Sequence, residues 1–490
     1  MLLSELFDKQ PAIEIKGFML DSREKMKDSL FCCLSGITND SHQYVGEAIQ
    51  NGAIAVVHSK ELKEYQDNII YIRVNDVDEI FPSLINKFYD YPSSKVWLLG
   101  VTGTNGKSTV SWLAKNLLQE FKKTGYIGTL GVNYGEFSSE TGFTTSDLVS
   151  NSEILIDMLK QDVEAVSMEV SSQGLEQNRV AGMSFDVAVF TNLTHDHLDI
   201  HLNMENYYQA KKMLFTGLEY GKQAIINIDD EYGARLAKEM VFDPLTVSFV
   251  KDATYRIDDV QLSASKSKFT LTVDKKRYEV ETSLLGRFNV MNLTQAIAAV
   301  HQAGIEIESI LEHVSKIKTI PGRMESVDEG QSFSVIVDFA HTPDGFEKIL
   351  SFARSVTTAK NRIITVFGSP GKRDKNKRLS FGKITDRYAD VIILTEDDNR
   401  DELVRDICYE IAKGIENKPY LIIENRYEAI YQALTIAHKG DTVLLLAKGC
   451  ENFIAREFGD EEYIGDKAVA SEILKQFKEE IENGKNEYIN

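Results

Sequence analysis

Cysteine is scarce in this sequence: Cys32, Cys33, Cys408 and Cys450 are the full set, and no CxxC pair stands among them. That excludes a disulfide framework and a zinc knuckle, so reduced thiols are expected. Cys32 and Cys33 sit in an apolar run, where simple burial is the commoner reading than redox chemistry. Basic residues are outnumbered, 55 against 75 acidic, for a net charge of -20. Phosphate-rich partners are repelled by such a surface on average, which excludes a general binder of nucleic acid or anionic membrane; any phosphate site has to be local. No apolar run reaches bilayer length. The start, Met1-Leu-Leu-Ser-Glu-Leu-Phe-Asp, lacks the basic segment and long apolar stretch of a signal peptide. A cytoplasmic protein is therefore expected. Internal repeats and low-complexity segments are absent too, apart from a charged tail from Lys478 that reads as a solvated end.

What is present points to an α/β protein of three domains, since 490 residues exceed one ordinary core. Short apolar runs between Gly17 and Ile72, with helical patterning at Tyr44, Ala48 and Ile49, suggest a small N-terminal α/β domain over 1–94 that ends near Tyr91-Pro-Ser-Ser. From Lys95 strand-like and helical stretches alternate, the mark of βαβ units and a parallel sheet. Strands are expected at Val96 to Val101, Val163 to Val170, Phe185 to Phe190 and Ala224 to Ile226, with an antiparallel stretch from Thr254 to Thr282 at an edge. This central domain runs over 95–325. After Pro321-Gly322 a second series, Phe333 to Val337, Arg362 to Phe367, Val391 to Leu394 and Val443 to Leu446, predicts a Rossmann-like third domain over 326–490. In open parallel sheets ligands bind beyond the carboxyl ends of the strands, and the chemically suggestive residues fall at those ends.

The first is Gly100-Val-Thr-Gly-Thr-Asn-Gly-Lys-Ser-Thr, between a strand and a helix whose apolar positions Val110, Leu113, Ala114, Leu117, Leu118 and Phe121 keep helical spacing. It has the makings of a phosphate loop. Backbone N–H groups from Gly103 to Gly106 and the helix N-terminus cradle phosphates, Lys107 neutralises the outer ones, and Ser108 can hold Mg²⁺. One strand away, Met168-Glu-Val-Ser-Ser puts Glu169 at a strand end within reach of that metal. Thr191-Asn-Leu-Thr-His-Asp-His-Leu-Asp-Ile-His then gathers His195, Asp196, His197, Asp199 and His201. Two sites fit this cluster: a hydrolytic zinc site, from whose H-x-H-x-D-H pattern Ile200 departs, and a hard-metal site in which one imidazole joins nearby carboxylates.

These strings, with Tyr208-Gln-Ala-Lys-Lys-Met-Leu-Phe, Leu20-Asp-Ser-Arg, Gly286-Arg-Phe-Asn-Val-Met-Asn, Pro321-Gly-Arg-Met-Glu and Asp338-Phe-Ala-His-Thr-Pro-Asp in this order, resemble the Mur ligase family from end to end. Within it the chain looks most like the members that add the third amino acid of the cell-wall peptide. The resemblance implies an ATP-dependent carboxylate-amine ligase of peptidoglycan synthesis. ATP phosphorylates the terminal carboxylate of UDP-N-acetylmuramoyl-L-alanyl-D-glutamate, and an amine attacks the acyl phosphate. It also implies a uridine-binding first lobe, a middle ATPase lobe and a last lobe for the amino acid. Gly103, Thr104, Asn105, Gly106, Lys107, Ser108, Thr109, Asn292, Arg323 and Asp338 are expected at ATP. Ser108, Glu169, His197 and a Lys211 carbamylated by CO₂ are expected at Mg²⁺, with Lys107, Glu169, His197 and Lys211 as the catalytic set. Ser22, Thr144, Thr145, Ser171 and Arg179 are expected at the UDP-peptide. The protein is expected to act as a monomer, without nucleic acid or membrane.

For the amino acid, Gly371-Lys-Arg-Asp-Lys-Asn-Lys-Arg offers Arg373, and Asp397, Asp398, Asn399 and Arg400 align with the family's Asp-Asn-Pro-Arg box without its proline. Gly449 and Glu451 follow in Lys448-Gly-Cys-Glu, where Cys450 replaces a usual histidine. Gln173 and Phe339 replace a usual histidine and tyrosine. A guanidinium can hold a second carboxylate bidentately, so Arg400 favours meso-diaminopimelate over L-lysine. Asp397, Asp398 or Glu451 pairing with the ammonium of lysine is the other reading, and a Mur-type paralogue with a different substrate or a non-catalytic nucleotide-binding module are the rivals.

Overall fold

A computed structural model describes residues 1–35, 40–139, 142–263, 266–317 and 320–482. The first lobe is a parallel sheet of four strands in sequential order, β1 (Gly17–Met19), β2 (Ser29–Cys32), β3 (Ala53–His58) and β4 (Ile70–Arg73). The helix Val77–Phe88 closes it. Asp76 caps that helix by accepting the N–H groups of Asp78 and Glu79, which satisfies two of its orphan donors.

The central sheet has eleven strands. In chain order they are β5 (Trp97–Thr102), β6 (Thr124–Gly128), β7 (Gly131–Tyr134), β8 (Phe137–Ser139), β9 (Ala165–Glu169), β10 (Val187–Phe190), β11 (Gln223–Asn227), β12 (Leu245–Ser248), β13 (Tyr255–Leu262), β14 (Ser267–Val273) and β15 (Lys276–Thr282). In space the order is β15-β14-β13-β12-β11-β10-β5-β9-β6-β7-β8. Pairing is parallel from β13 through to β6 and antiparallel in both wings. The stretch from 254 to 282 is thus the expected antiparallel edge; 264 and 265 within it lie outside the described residues. Both faces of the parallel part are covered. Leu98 packs into one apolar core while Leu99 and Val101 pack into the other, and this is why β5 reads as an unbroken apolar run.

The third lobe is a six-stranded sheet in the order β16-β17-β21-β18-β19-β20, with β16 (Glu325–Val327), β17 (Ser334–Asp338), β18 (Ile363–Phe367), β19 (Val391–Leu394), β20 (Tyr420–Ile422) and β21 (Thr442–Leu446). All pairs are parallel except β16 with β17. A separate hairpin, β22 (Phe453–Arg456) with β23 (Gly459–Glu462), follows. At the end of the chain the helix Asp466–Glu482 carries the backbone through Lys478, and Lys478 and Glu479 are exposed on it, so the charged end is solvated but helical as far as it is described. The rest of that tail, 483–490, lies outside the described residues. No described helix is long and apolar enough to cross a membrane.

Candidate active site

The loop after β5 turns on two glycines with positive φ, Gly103 at 147° and Gly106 at 89°. At Gly106 a Cβ would lie 2.6 Å from Asn292 Oδ1, so the helix Arg287–His301 packs against the loop only because the side chain is absent. Lys107 opens the helix Lys107–Leu118, and its ammonium donates to the carbonyls of Gly103 (3.1 Å) and Thr104 (3.0 Å). Lys211, from the helix Met204–Thr216, donates to the same Gly103 carbonyl at 2.8 Å and lies over the Tyr207 ring. Two amines thus meet on one oxygen. Burial lowers the pKa of both amines, and for Lys211 the charge of Lys107 adds to burial and holds that amine well below the ordinary lysine value. Thr104 donates to Tyr207 Oη at 3.2 Å, and Thr109 is buried behind it.

Glu169 ends β9 with no exposure at all. Its carboxylate accepts the Ser108 hydroxyl at 2.8 Å, the Thr129 N–H at 2.9 Å, the Thr129 hydroxyl at 3.3 Å and a short hydrogen bond from Tyr126. Tyr126 and Thr129 were not expected from sequence, because nothing about their neighbours marks them. The Glu169 main-chain carbonyl accepts the Thr145 hydroxyl at 3.0 Å, and Thr145 Oγ1 in turn accepts the Ser171 N–H. Arg179 donates to the Thr145 carbonyl at 2.7 Å, and Thr144 meets Thr129, hydroxyl to hydroxyl, at 3.1 Å. Thr144, Thr145, Ser171 and Arg179 therefore form a second group beside Glu169, linked to its main-chain carbonyl through Thr145 and to its carboxylate through Thr129. Ser22 stands apart in the first lobe, where its hydroxyl donates to Glu47 at 2.5 Å.

The histidines diverge. His195 faces Asp374 at 3.6 Å, His197 faces Asp196 at 3.3 Å, and His201 is buried between Ser172, Glu176 and the Tyr207 ring. Among the described residues they form no group of three ligands that could close on one ion. This overturns the zinc reading, which needs convergent imidazoles. His197, at φ 53°, feels the charges of both Lys107 and Lys211; desolvation first, then those cations, hold its pKa down against the pull of Asp196. Ser108 and Glu169 set a hydroxyl and a carboxylate oxygen side by side, the hard donors that Mg²⁺ prefers, so the residues present fit that ion.

From the segment that leads into the third lobe, Arg323 donates to Ser108 Oγ at 3.3 Å and lies over the Phe339 ring. Asp338 accepts the N–H groups of Met324 and Ala340, and burial raises its pKa to about 6. Asn105 turns its side chain to this lobe: Oδ1 accepts from Thr342 at 3.2 Å and Nδ2 donates to Asp344 at 2.8 Å. Further out, Lys448 is fully buried and its ammonium holds Asp398 (2.8 Å) and Glu451 (2.7 Å), with Asp397 at 3.9 Å. Burial works against the charge of Lys448, but the carboxylates outweigh it and raise its pKa; burial also pushes Glu451 up to about 7. Arg400 Nη1 donates to the carbonyls of Gly371 (2.8 Å) and Asp398 (3.2 Å). Arg373 is exposed on the same Gly371 segment. Gly449 has φ 57°, and a Cβ there would meet Phe339 Cβ at 2.6 Å.

Residues 101–300 match the Mur ligase middle domain, and residues 322–449 match the Mur ligase glutamate ligase domain. The UDP-N-acetylmuramoyl-L-alanyl-D-glutamate--2,6-diaminopimelate ligase 1 of Clostridium acetobutylicum is 36% identical over 468 residues, 95% of each chain. The corresponding ligase of Fusobacterium nucleatum is 38% identical over 442 residues, 89% of each chain. A solved structure of a UDP-N-acetylmuramoyl-L-alanyl-D-glutamate--2,6-diaminopimelate ligase superposes with a TM-score of 0.69 at 30% identity, covering 97% of this chain and 99% of that one. The MurF ligase of Thermotoga maritima in complex with ADP shares the fold at 18% identity, with a TM-score of 0.63 over 95% of this chain and 98% of its own. With likeness at this level along nearly the whole chain, and with Glu169 bonded to Ser108 and Lys211 to Gly103 of the loop after β5, the protein belongs to the Mur ligase family.

Proposed function

We propose that this protein couples ATP hydrolysis to amide formation between the D-glutamyl carboxylate of UDP-N-acetylmuramoyl-L-alanyl-D-glutamate and the amine of meso-diaminopimelate, in the peptidoglycan pathway of the cytoplasm and as a monomer. The observation that carries the reading is the double use of Glu169. Its carboxylate takes the hydroxyl of the phosphate loop, while its main-chain carbonyl takes the hydroxyl of Thr145. A triphosphate bound at the loop and a peptide acid bound beside Thr145 would then meet at Glu169, an arrangement suited to in-line phosphoryl transfer. The lobes divide at 1–94 for the uridine end, 95–325 for ATP and 326–490 for the amino acid.

In the first step a carboxylate oxygen attacks the γ-phosphorus, the bond to the bridging oxygen breaks, and ADP leaves. In the second the unprotonated amine attacks the acyl carbon, and phosphate departs with the oxygen it gained and takes up the proton that the nitrogen loses, leaving as hydrogen phosphate. Lys107 and the N-terminus of its helix stabilise charge on the transferring group. Ser108, Glu169 and His197 would hold Mg²⁺, which supplies charge neutralisation. Lys211 is suited to carbamylation because its depressed pKa favours the neutral amine, the form that adds to CO₂; the resulting carbamate is an anionic oxygen ligand. Asn292, Arg323 and Asp338 are assigned to the nucleotide, and Ser22, Thr144, Ser171 and Arg179 to the UDP-peptide.

The choice of amino acid rests on Arg400. Nη1 is anchored on two carbonyls, and its Nε and Nη2 donors have no hydrogen bond among the described residues, a fork open to a carboxylate. Lys448 already pairs with Asp398 and Glu451, which weighs against these acids serving the ammonium of a lysine substrate. The test is phosphate release with the UDP-dipeptide and a panel of meso-diaminopimelate, L-lysine and L-ornithine. Diaminopimelate is expected to give the largest rate. A preference for lysine of tenfold or more, about 1.4 kcal/mol, would show that Arg400 does not face the ligand.

A further inference from the structure

Arg400 holds φ at 53°, a conformation that a side chain with a Cβ keeps only where its surroundings impose it. The hairpin β22–β23 imposes it from one side. The Arg400 N–H donates to the Ala455 carbonyl at 3.0 Å, and the Ala455 N–H donates to Asp398 Oδ1 at 3.0 Å. The next residue, Arg456, reaches over this seam. Its Nη1 donates to Asn399 Oδ1 at 2.6 Å and to Glu396 Oε2 at 2.7 Å, and its Nε donates to Glu461 Oε2 at 2.6 Å. The other end of the Asn399 amide donates to the Glu402 carbonyl at 3.0 Å. Glu396 is itself fixed, since Oε1 accepts the Arg426 N–H at 3.0 Å. Asn399 is thus held at both ends, by a guanidinium that is in turn braced against two carboxylates.

We infer that Arg456 is a positioning residue for the amino-acid site: by fixing the Asn399 amide it sets the turn that aims Arg400, and so it governs selectivity for an amino acid with a second carboxylate. The assignment rests on the proposed reaction. Arg456 lies outside every motif of the sequence, and only the register of the hairpin brings it to the loop. A planar fork is needed here because Nη1 serves two acceptors while Nε serves a third; an ammonium on a flexible stem reproduces part of that arrangement.

The experiment uses the full chain with Arg456→Met, Arg456→Lys, Asn399→Ala and the double variant Arg456→Met/Asn399→Ala. KM and kcat are measured for each of the three substrates by phosphate release, together with Tm. Arg456→Met is expected to raise KM for diaminopimelate about tenfold, to leave KM for ATP and UDP-dipeptide within about twofold, and to narrow the preference over lysine. Arg456→Lys is expected to recover part of the loss. In the Asn399→Ala background Arg456→Met should add less than about twofold, because the two act through one contact. The inference is overturned if KM for all three substrates and Tm shift together, if the effects multiply in the double variant, or if KM for diaminopimelate does not move. Wild-type protein that releases no phosphate with diaminopimelate would refute the proposed reaction instead, so the two failures are distinguishable.

Discussion

A carboxylate sealed from water survives only if donors replace its hydration, and Glu169 has Ser108, Tyr126 and both the N–H and the hydroxyl of Thr129. Three of these are hydroxyls that can reverse direction. Glu169→Gln should therefore fold with Tm within about 3 °C of wild type, yet lose about a hundredfold or more in kcat if the charge holds the metal at the transferring phosphoryl group. Calorimetry and phosphate release check the two halves, and unchanged kcat would remove Glu169 from the chemistry. Lys211 gives the opposite pairing of stability and activity. Its amine titrates well below the free value, so the unfolded chain binds more protons than the native one, and the stability this group contributes falls as pH drops below the ordinary lysine range. Lys211→Met removes that penalty. In bicarbonate-free buffer at neutral pH it should melt above wild type while its ligase activity drops about a hundredfold; a lower Tm would show that the bond to Gly103 outweighs the desolvation.

At the scale of elements, the loops that follow strands carry both the legible and the hidden parts of the site. The phosphate loop, Glu169 and the histidine cluster could be read because each is a short string attached to an apolar run, and for the same reason the four strands expected in the third lobe, β17, β18, β19 and β21, fall within a residue of expectation, whereas the short β16 and β20 were not expected. Tyr126, Thr129 and Arg456 could not. Tyr126 meets Glu169 across 43 residues and Arg456 meets Asn399 across 57, so only the sheet order and the hairpin register pair them. The antiparallel wings were half visible: alternation marks 254–282, whereas β7 and β8 are too short to show a period. Where β21 ends, Gly449 passes Phe339 at the end of β17 with positive φ. Gly449→Ala adds a Cβ where no space and no easy backbone conformation exist, a cost of about 1–3 kcal/mol. The transition of the third lobe should fall by about 5 °C in calorimetry; an unmoved transition would mean that these two strand ends separate readily.

Across the whole molecule the lobes meet beside the loop after β5, where His195 faces Asp374 and Asn105 reaches across the joint with two hydrogen bonds. The sequence suggested a nucleotide contact. Its main chain does stay in the loop, where the carbonyl accepts from Thr191 and Asn192. The side chain instead bridges 237 residues to Thr342 and 239 to Asp344, at the start of the helix Pro343–Val356 in the third lobe. No periodicity or spacing encodes a contact between lobes, which is why this part of the site was invisible before the fold was known. Its consequence is a coupling between the loop and the lobe proposed to bind the amine. An acyl phosphate formed before that lobe closes is open to water, and hydrolysis wastes ATP. Asn105→Ala keeps every main-chain donor of the loop and removes the bridge together with one bond inside the central lobe, from Nδ2 to the Thr194 hydroxyl at 3.3 Å. It should slow amide formation about tenfold and raise the ratio of phosphate released to amide formed above one, whereas a ratio held at one with an unchanged rate would show that the lobes close without this contact.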